Sequence, residues 1–156
     1  MIETNRLKII KTSIYDVDLL LKMDKQDITQ KYLGGIKNKT REERIKFLKN
    51  KKGSYTVMLK NGIKIGFISI KDKYLGYIFD ADYTNNGYAY ESCRALINDY
   101  YINNNGIIYA ETNKNNIKSI NLLERLGFKY LKNNNEFDIY ILEKQYFSWY
   151  LIICLL

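Results

Sequence analysis

The chain has 156 residues, of which 46% are hydrophobic and 27% charged, the usage of an ordinary folded domain; bulk disorder is excluded. Lys and Arg total 25 against 17 Asp and Glu, a formal charge of +8, and there is no histidine, which removes His-based catalytic triads and a conventional zinc site. The 15 tyrosines and the lack of proline fit an A+T-rich coding sequence as readily as a function.

The length fits one unit, residues 1–156. A charge of +8 would suit an anionic partner such as nucleic acid, a membrane surface or a phosphorylated ligand. The lysines are spread along the chain, however, and the densest group, KFLKNKKG at 46–53, has helix-end character, so a solvated face is the reading adopted. No nucleic-acid partner is expected. Cys93 and Cys154 lack CxxC spacing and read as buried free thiols, with no metal site. The opening MIETNRLKII carries no apolar signal core, which points to a cytoplasmic address.

In chain order, RLKIIKT (6–12) reads as a first strand, and Ser13 with Asp16 forms a capping box before the helical IYDVDLLLKM. Thr40 and Glu43 repeat that signature before REERIKFLKN, with YLGG (32–35) a break between the two helices. SYTVMLKNGIKIGFISI (54–70) gives two β-branched runs around Asn61-Gly62, a hairpin in which both turn positions accept positive φ. After KDKY, LGYIFD (75–80) is a fourth strand. A helix from about Gly87 to Tyr101 presents Ala89, Cys93, Leu96, Ile97 and Tyr100 on one face.

GIIYAET (106–112) is a fifth strand, reached through that helix, so strands four and five are expected to be parallel neighbours with a right-handed crossover. NIKSINLLERLGF (116–128) is a further helix, with Asn116 as N-cap, Ile120, Leu123 and Leu126 as buried stripe and Gly127 as terminator. FKYLKNNNEFDIYILE closes as a hairpin turning through Asn133 to Asn135. The order βααβββαβαββ predicts an α+β layered domain with a mixed, mostly antiparallel sheet flanked by helices. Residues 145–156 form an apolar extension, too short to span a bilayer, which takes about 17 apolar residues or more. It reads as an extra strand or as an arm pairing two chains in a homodimer.

Between strand four and the helix stands DADYTNNGYAYES (80–92). A strand feeding a helix through a loop with Gly at the helix start leaves several backbone N–H groups unpaired and pointing one way, which makes an anion site. Gly87 lets the backbone approach a phosphate with no Cβ in the way, and Ala89 keeps the next turn small. The alternative, a plain N-cap at Asn86 and a plain turn at Gly87, stays open from this stretch alone.

TNNGYA, Thr84 to Ala89, inside GYIFDADYTNNGYAYES, resembles the pyrophosphate loop of the GCN5-related N-acetyltransferases (GNAT), written Gln/Arg-x-x-Gly-x-Gly/Ala. NIKSINLLERLGF is similar to the Asn-x-x-Ser segment and GF ending of the RimJ/RimL-like ribosomal-protein branch, and IETNRLKIIKTSIYDVDLLLKM to the family's opening strand and helix. The resemblance runs to about Glu143 in order and spacing. Two departures stand out: Thr84 replaces the usual long polar side chain, and the tail after Lys144 has no counterpart.

The resemblance implies the GNAT fold, acetyl-CoA as cosubstrate, and acetyl transfer by direct attack of a primary amine in a ternary complex. It assigns Thr84, Asn85, Asn86, Gly87, Tyr88 and Ala89 to the pyrophosphate, and Asn116 and Ser119 to the pantetheine or a loop carbonyl. The open edge of strand four at Tyr77, Ile78 and Phe79 would take the pantetheine amides, with the N–H of Ile78 or Phe79 as oxyanion donor. Glu111 is the leading base. Ser119 is the candidate proton donor to the thiolate, because the position where many relatives carry tyrosine is Leu123 here. A lysine-like amine lies ~3.4 units from neutral at pH 7, about 4.6 kcal/mol, and an α-amine only about 1 kcal/mol, so an α-amine asks less of a site without histidine. Acidic Asp16, Asp18, Asp24 and Asp27 are candidates to attract a cationic acceptor, or are simply solvated. A non-catalytic acyl-CoA-binding module is the alternative reading, and a nucleic-acid binder, marked by steep salt dependence, a third.

Overall fold

The computed structural model describes residues 1–27, 31 and 39–145. The 32–35 break, the tail from 146 and Cys154 lie outside the described residues. The strands are β1 (Ile2–Glu3), β2 (Leu7–Lys11), β3 (Ser54–Leu59), β4 (Lys64–Lys71), β5 (Tyr74–Phe79), β6 (Ile107–Asn113), β7 (Lys129–Asn134) and β8 (Phe137–Glu143). The helices among the described residues are α1 (Val17–Asp24), α2 (Arg41–Lys49), α3 (Tyr88–Asn103) and α4 (Ile117–Arg125).

The strands form one eight-stranded sheet, ordered β1-β2-β3-β4-β5-β6-β8-β7. Among the described strands only β5 and β6 run parallel. This is the mixed α+β sheet expected, with one addition: the two-residue β1 pairs with β2 through Ile2↔Ile9 and Glu3↔Lys8, too short a run to show an alternation. β2 shows one clearly, since Leu7 and Ile9 are fully buried between more exposed neighbours.

Helices cover both faces. α3 and α4 lie over one core, built on Leu7, Val57, Ile65, Leu75, Ile97, Ile108 and Leu123. α1 and α2 close a smaller one on the other face, where Leu20, Met23 and Leu48 meet Phe67. On β5 the odd positions Leu75, Tyr77 and Phe79 face the first core, and Ile78 faces the second.

Both capping boxes form. Ser13 accepts from the Tyr15 N–H at the head of a 3₁₀ turn, Ile14–Asp16, that runs into α1. Thr40 accepts from the Glu43 N–H at the head of α2, with the Glu43 carboxylate returning to the Thr40 N–H at 2.8 Å. α4 ends as expected: Gly127 takes φ 92, its N–H donates to Glu124 O and that of Phe128 to Leu123 O, which is a Schellman closure.

Two turns differ from expectation. At Asn61-Gly62 only Gly62 has positive φ; Leu59 and Ile63 flank a three-residue loop in which the Asn61 side chain accepts the Ile63 N–H. The glycine sits as the left-handed residue after a type I-like turn, so the loop is one residue longer than a two-residue turn. The mirror-image turn sits instead between β4 and β5, where Asp72 and Lys73 both take positive φ and Lys71 pairs with Tyr74. The last hairpin turns at Asn135-Glu136, one position later than expected, between the paired Asn134 and Phe137.

On α3 the buried face holds Cys93, Leu96 and Ile97 as expected; Tyr100 packs half-buried against the same core, and the more deeply buried Tyr101 completes the face, its hydroxyl donating to Leu142 O at 2.8 Å. No described helix is long and apolar enough to cross a membrane. Leu123, fully buried, anchors α4 to the main core. Leu123→Ala should cost about 3 kcal/mol, read in urea melts as a lower midpoint at unchanged slope.

Candidate active site

The site begins where the parallel pair stops. β5 and β6 share register only at Tyr74↔Tyr109 and Leu75↔Ala110, while β5 runs on to Phe79 and β6 to Asn113. Each strand stays fully paired on its other side, β5 with β4 and β6 with β8, so two backbone edges face a widening gap. The Asp80 N–H donates to Ile65 O, on the β4 side, and Lys73 O accepts from Tyr109 on the β6 side. Alternation along β5 then turns the N–H of Gly76 and Ile78 toward β4 and those of Tyr77 and Phe79 into the gap. Of the two expected oxyanion donors, Phe79 rather than Ile78 has its N–H on the open edge.

A corner follows β5. Asp80, 1% exposed, accepts from the Lys22 ammonium (2.6 Å), the Gln26 amide (2.7 Å) and the Asp82 N–H (3.1 Å). Gln26 also accepts the Ala81 N–H, tying α1 to the chain just ahead of the loop. Burial pushes the Asp80 carboxyl up, and these three donors together hold it below the usual carboxylate value.

The loop 84–89 is folded on itself. Thr84 Oγ1 donates inward to Ala81 O at 2.9 Å, Asn85 takes φ 64, and the Asn86 amide donates to Thr84 O. Gly87 caps α3 at φ 78, a backbone shape costly for any residue with a Cβ. The first backbone bond of the helix joins the Glu91 N–H to Gly87 O, so the N–H groups of Tyr88, Ala89 and Tyr90 have no partner within the helix.

This shape is held by Arg6, which the sequence reading missed. Its guanidinium donates to Asn86 O (3.0 Å) and to the Glu91 carboxylate (2.6 Å), and lies 4.7 Å from the Tyr88 ring centroid. Glu91 also accepts the Arg6 N–H and the Thr4 hydroxyl. Burial raises the Glu91 carboxyl, and the Thr4 and Arg6 donors outweigh it, leaving a net shift downward.

Across the gap, α4 presents Ser119. The Asn116 side chain accepts its N–H, and its hydroxyl lies 2.6 Å from Tyr77 Oη. Tyr77, expected only for its backbone, thus brings a second hydroxyl to the same point. Burial pushes its phenol well above the ordinary value despite the Ser119 hydrogen bond, so Tyr77 keeps its proton and can donate to Ser119.

Glu111, on β6 opposite Ile139, is exposed, and among the described residues no hydrogen bond or ion pair engages its carboxylate. A cavity of about 1020 Å³ connects these groups; Glu111, Ser119, Asn116, Tyr77 to Phe79 and all of 84–89 except Asn86 line it. Asn86 instead shapes the loop from behind.

The cavity is lined also by Asp24 and Asp27 with Arg44, Lys31 and Lys51. Asp24 forms a two-pronged pair with Arg44, both nearly buried. Asp16 corrects an expectation: it is 1% exposed, accepts from the Ser13 N–H and Thr56 hydroxyl and pairs with Lys64, so it caps a turn rather than meeting an acceptor. Asp18 is exposed and paired with Arg41 at 2.5 Å.

Residues 6–129 match the family model described as an acetyltransferase (GNAT) domain. The chain belongs to the GNAT family. Acetyl-CoA is the cosubstrate of these acetyltransferases, and the unpaired N–H turn, the open β5 edge and the cavity suit such a ligand. Solved structures share the fold. A GNAT acetyltransferase from Bacillus anthracis matches at TM-score 0.80 and 21% identity, over 92% of this chain and 98% of that one. The microcin self-immunity acetyltransferase MccE, in complex with acetyl-CoA and AMP, matches at 0.74 and 16%, over 90% and 93%. An acetyl transferase from Salmonella typhimurium that modifies the N-terminal serine of a 50S ribosomal subunit protein matches at 0.73 and 17%, over 90% and 96%. Comparison with curated proteins finds no significant match.

Arg6→Ala in this GNAT domain should raise KM for acetyl-CoA about tenfold with kcat changed less than twofold in steady-state assays. The acid limb of stability also follows. Asp80 and Glu91 both sit lower folded than unfolded, so their stabilisation is complete above the unfolded values near 4 and fades as pH falls through the folded ones. Melting temperature should drop steeply below about pH 4, and less so in Asp80→Asn, whose neutral melt starts lower.

Proposed function

We propose that the chain transfers the acetyl group of acetyl-CoA to a primary amine, with a protein N-terminal α-amine as leading acceptor, as in the RimJ/RimL-like branch. The observation that carries the reading is the paired Tyr77 and Ser119 hydroxyls, 2.6 Å apart at the rim of the gap between two unpaired strand edges. The α-amine is favoured because deprotonating it at pH 7 costs about 1 kcal/mol against roughly 4.6 for a lysine-like amine, and no histidine is present to help. The Salmonella neighbour's N-terminal serine acceptor supports the same class.

In this reading the N–H groups of Tyr88, Ala89 and Tyr90, with the loop from Thr84, hold the pyrophosphate at the positive end of α3. Asn116 and the β5 edge at Tyr77 to Phe79 orient the pantetheine arm, and the Phe79 N–H is the oxyanion donor. Glu111, facing the gap from β6, takes the amine proton directly or through water. Tyr77 donates to Ser119, which leaves the Ser119 proton free for the departing thiolate. A thiol of pKa near 8.5 needs only a weak donor, so a hydroxyl pair suffices.

The alternative, a non-catalytic acyl-CoA-binding module, draws on Thr84, Leu123 and the tail after Lys144, which lies outside the described residues apart from Gln145. Thr84 still favours it in one respect, since its hydroxyl turns inward to Ala81 O and adds no long side chain to the phosphate. The hydroxyl missing at Leu123 has a substitute in Tyr77, which favours catalysis. Thiol release from acetyl-CoA should appear with a peptide bearing a free N-terminal Ser or Ala and not with its N-blocked form, a lysine side chain, spermidine or an aminoglycoside. Ser119→Ala and Tyr77→Phe should lower kcat about 10²-fold with little change in KM for acetyl-CoA, and Glu111→Gln should lower kcat similarly. Tight acetyl-CoA binding with no turnover on any amine would establish the binding-module reading instead.

A further inference from the structure

Tyr90, in the first turn of α3, carries two guanidinium groups. Arg125 Cζ lies 4.8 Å and Arg94 Cζ 5.8 Å from its ring centroid, and Arg94 Nη1 donates to Tyr90 Oη at 2.9 Å. Cation–π attraction holds each group to the ring but neutralises neither. The other arginines are different: Arg6, Arg41 and Arg44 each hold a carboxylate. Among the described residues no carboxylate lies within ion-pair distance of Arg94, Arg125 or Lys118. Two like charges gathered on one ring with no counter-ion form a site that an anion would relieve.

The site opens into the cavity already described. Tyr90, Arg125 and Lys118 line it, and Lys118, Leu122 and Arg125 follow one another along a single face of α4 at helical spacing. That face starts beside Ser119 and ends against Tyr90, so it runs from the proposed reaction point toward the phosphate end. In the proposed function the N–H turn at 88–90 serves the pyrophosphate, and Arg6 beside it is already engaged with Asn86 and Glu91. Beyond its pyrophosphate, acetyl-CoA carries a third phosphate, the monoester on the ribose 3′-oxygen. With nearly two charges and three terminal oxygens it matches a forked guanidinium better than a backbone turn does.

We propose that Arg125 and Arg94, organised on Tyr90 and assisted by Lys118, recognise the 3′-phosphate of the cosubstrate and make the protein discriminate CoA from 3′-dephospho-CoA. This rests on the acetyl-CoA reading above. Because the cations are partly exposed, the discrimination should weaken as salt rises.

Calorimetric titration of the intact protein with CoA and with 3′-dephospho-CoA at low salt tests it without reliance on turnover. The wild type should bind CoA about tenfold more tightly than 3′-dephospho-CoA. Arg125→Gln, checked for an unchanged melting temperature, should lose most of that preference while keeping its dephospho-CoA affinity within twofold. Equal wild-type affinities would overturn the assignment whether or not any variant folds. Equal loss toward both ligands in Arg125→Gln would overturn it too, giving the guanidinium to the shared pyrophosphate or adenine. If the wild type bound neither ligand, the cosubstrate reading itself would fall, a result distinct from equal binding of both.

Discussion

The proposed site depends on β5 and β6 being parallel and paired for only two residues. An antiparallel neighbour would have stayed in register and closed the sheet. Here each strand is held firmly from its outer side, β5 by β4 and β6 by β8, and the chain crosses between them through α3. The result is a gap bordered by unpaired backbone in the middle of a sheet, where such groups are ordinarily satisfied. That gap is where a ligand with its own amides can complete the ladder, and it lets groups from β5, β6 and α4 face one space.

The second requirement is that the loop leaving β5 arrive in one shape. Two tethers from distant parts of the chain enforce it. Lys22 and Gln26 of the α1 region grip Asp80 and Ala81 at the start, and Arg6 grips Asn86 and Glu91 at the end. Between them Asn85 sits at positive φ, a shape uncommon for a residue with a Cβ, and Gly87 adopts positive φ at no steric cost. The loop's own side chains do little toward a ligand: Thr84 and Asn86 both turn back onto the backbone. In the proposed function, backbone N–H groups at a fixed helix start are left to meet the anion, so that Thr84 can stand where the family pattern has a long polar residue.

Much of this was legible in the sequence, because local chemistry dictated it. Ser13-Asp16 and Thr40-Glu43 capped where their spacing said they would, Asn116 capped α4, and the strand–helix–strand order forced β5 and β6 to be parallel. What stayed hidden were contacts between residues far apart in sequence. Nothing near Arg6 advertises Glu91, some 85 positions away, and Tyr77 looked like any strand tyrosine until register aimed its hydroxyl at Ser119. Asn61-Gly62 marked the antiparallel hairpin correctly but not its loop: a good turn dipeptide fits a three-residue loop as well as a two-residue one, and the loop length is set by the strands it joins.

The most direct measurement is hydrogen–deuterium exchange with and without saturating acetyl-CoA, read at residues 76–79 and 88–90. A ligand seated along the open β5 edge and the α3 start should slow exchange at Tyr77 and Phe79 and at Tyr88 to Tyr90, while Gly76 and Ile78, already bonded to β4, change little. Unchanged exchange at both segments under conditions where acetyl-CoA is bound would contradict this, and would place the cosubstrate somewhere other than the gap between β5 and β6.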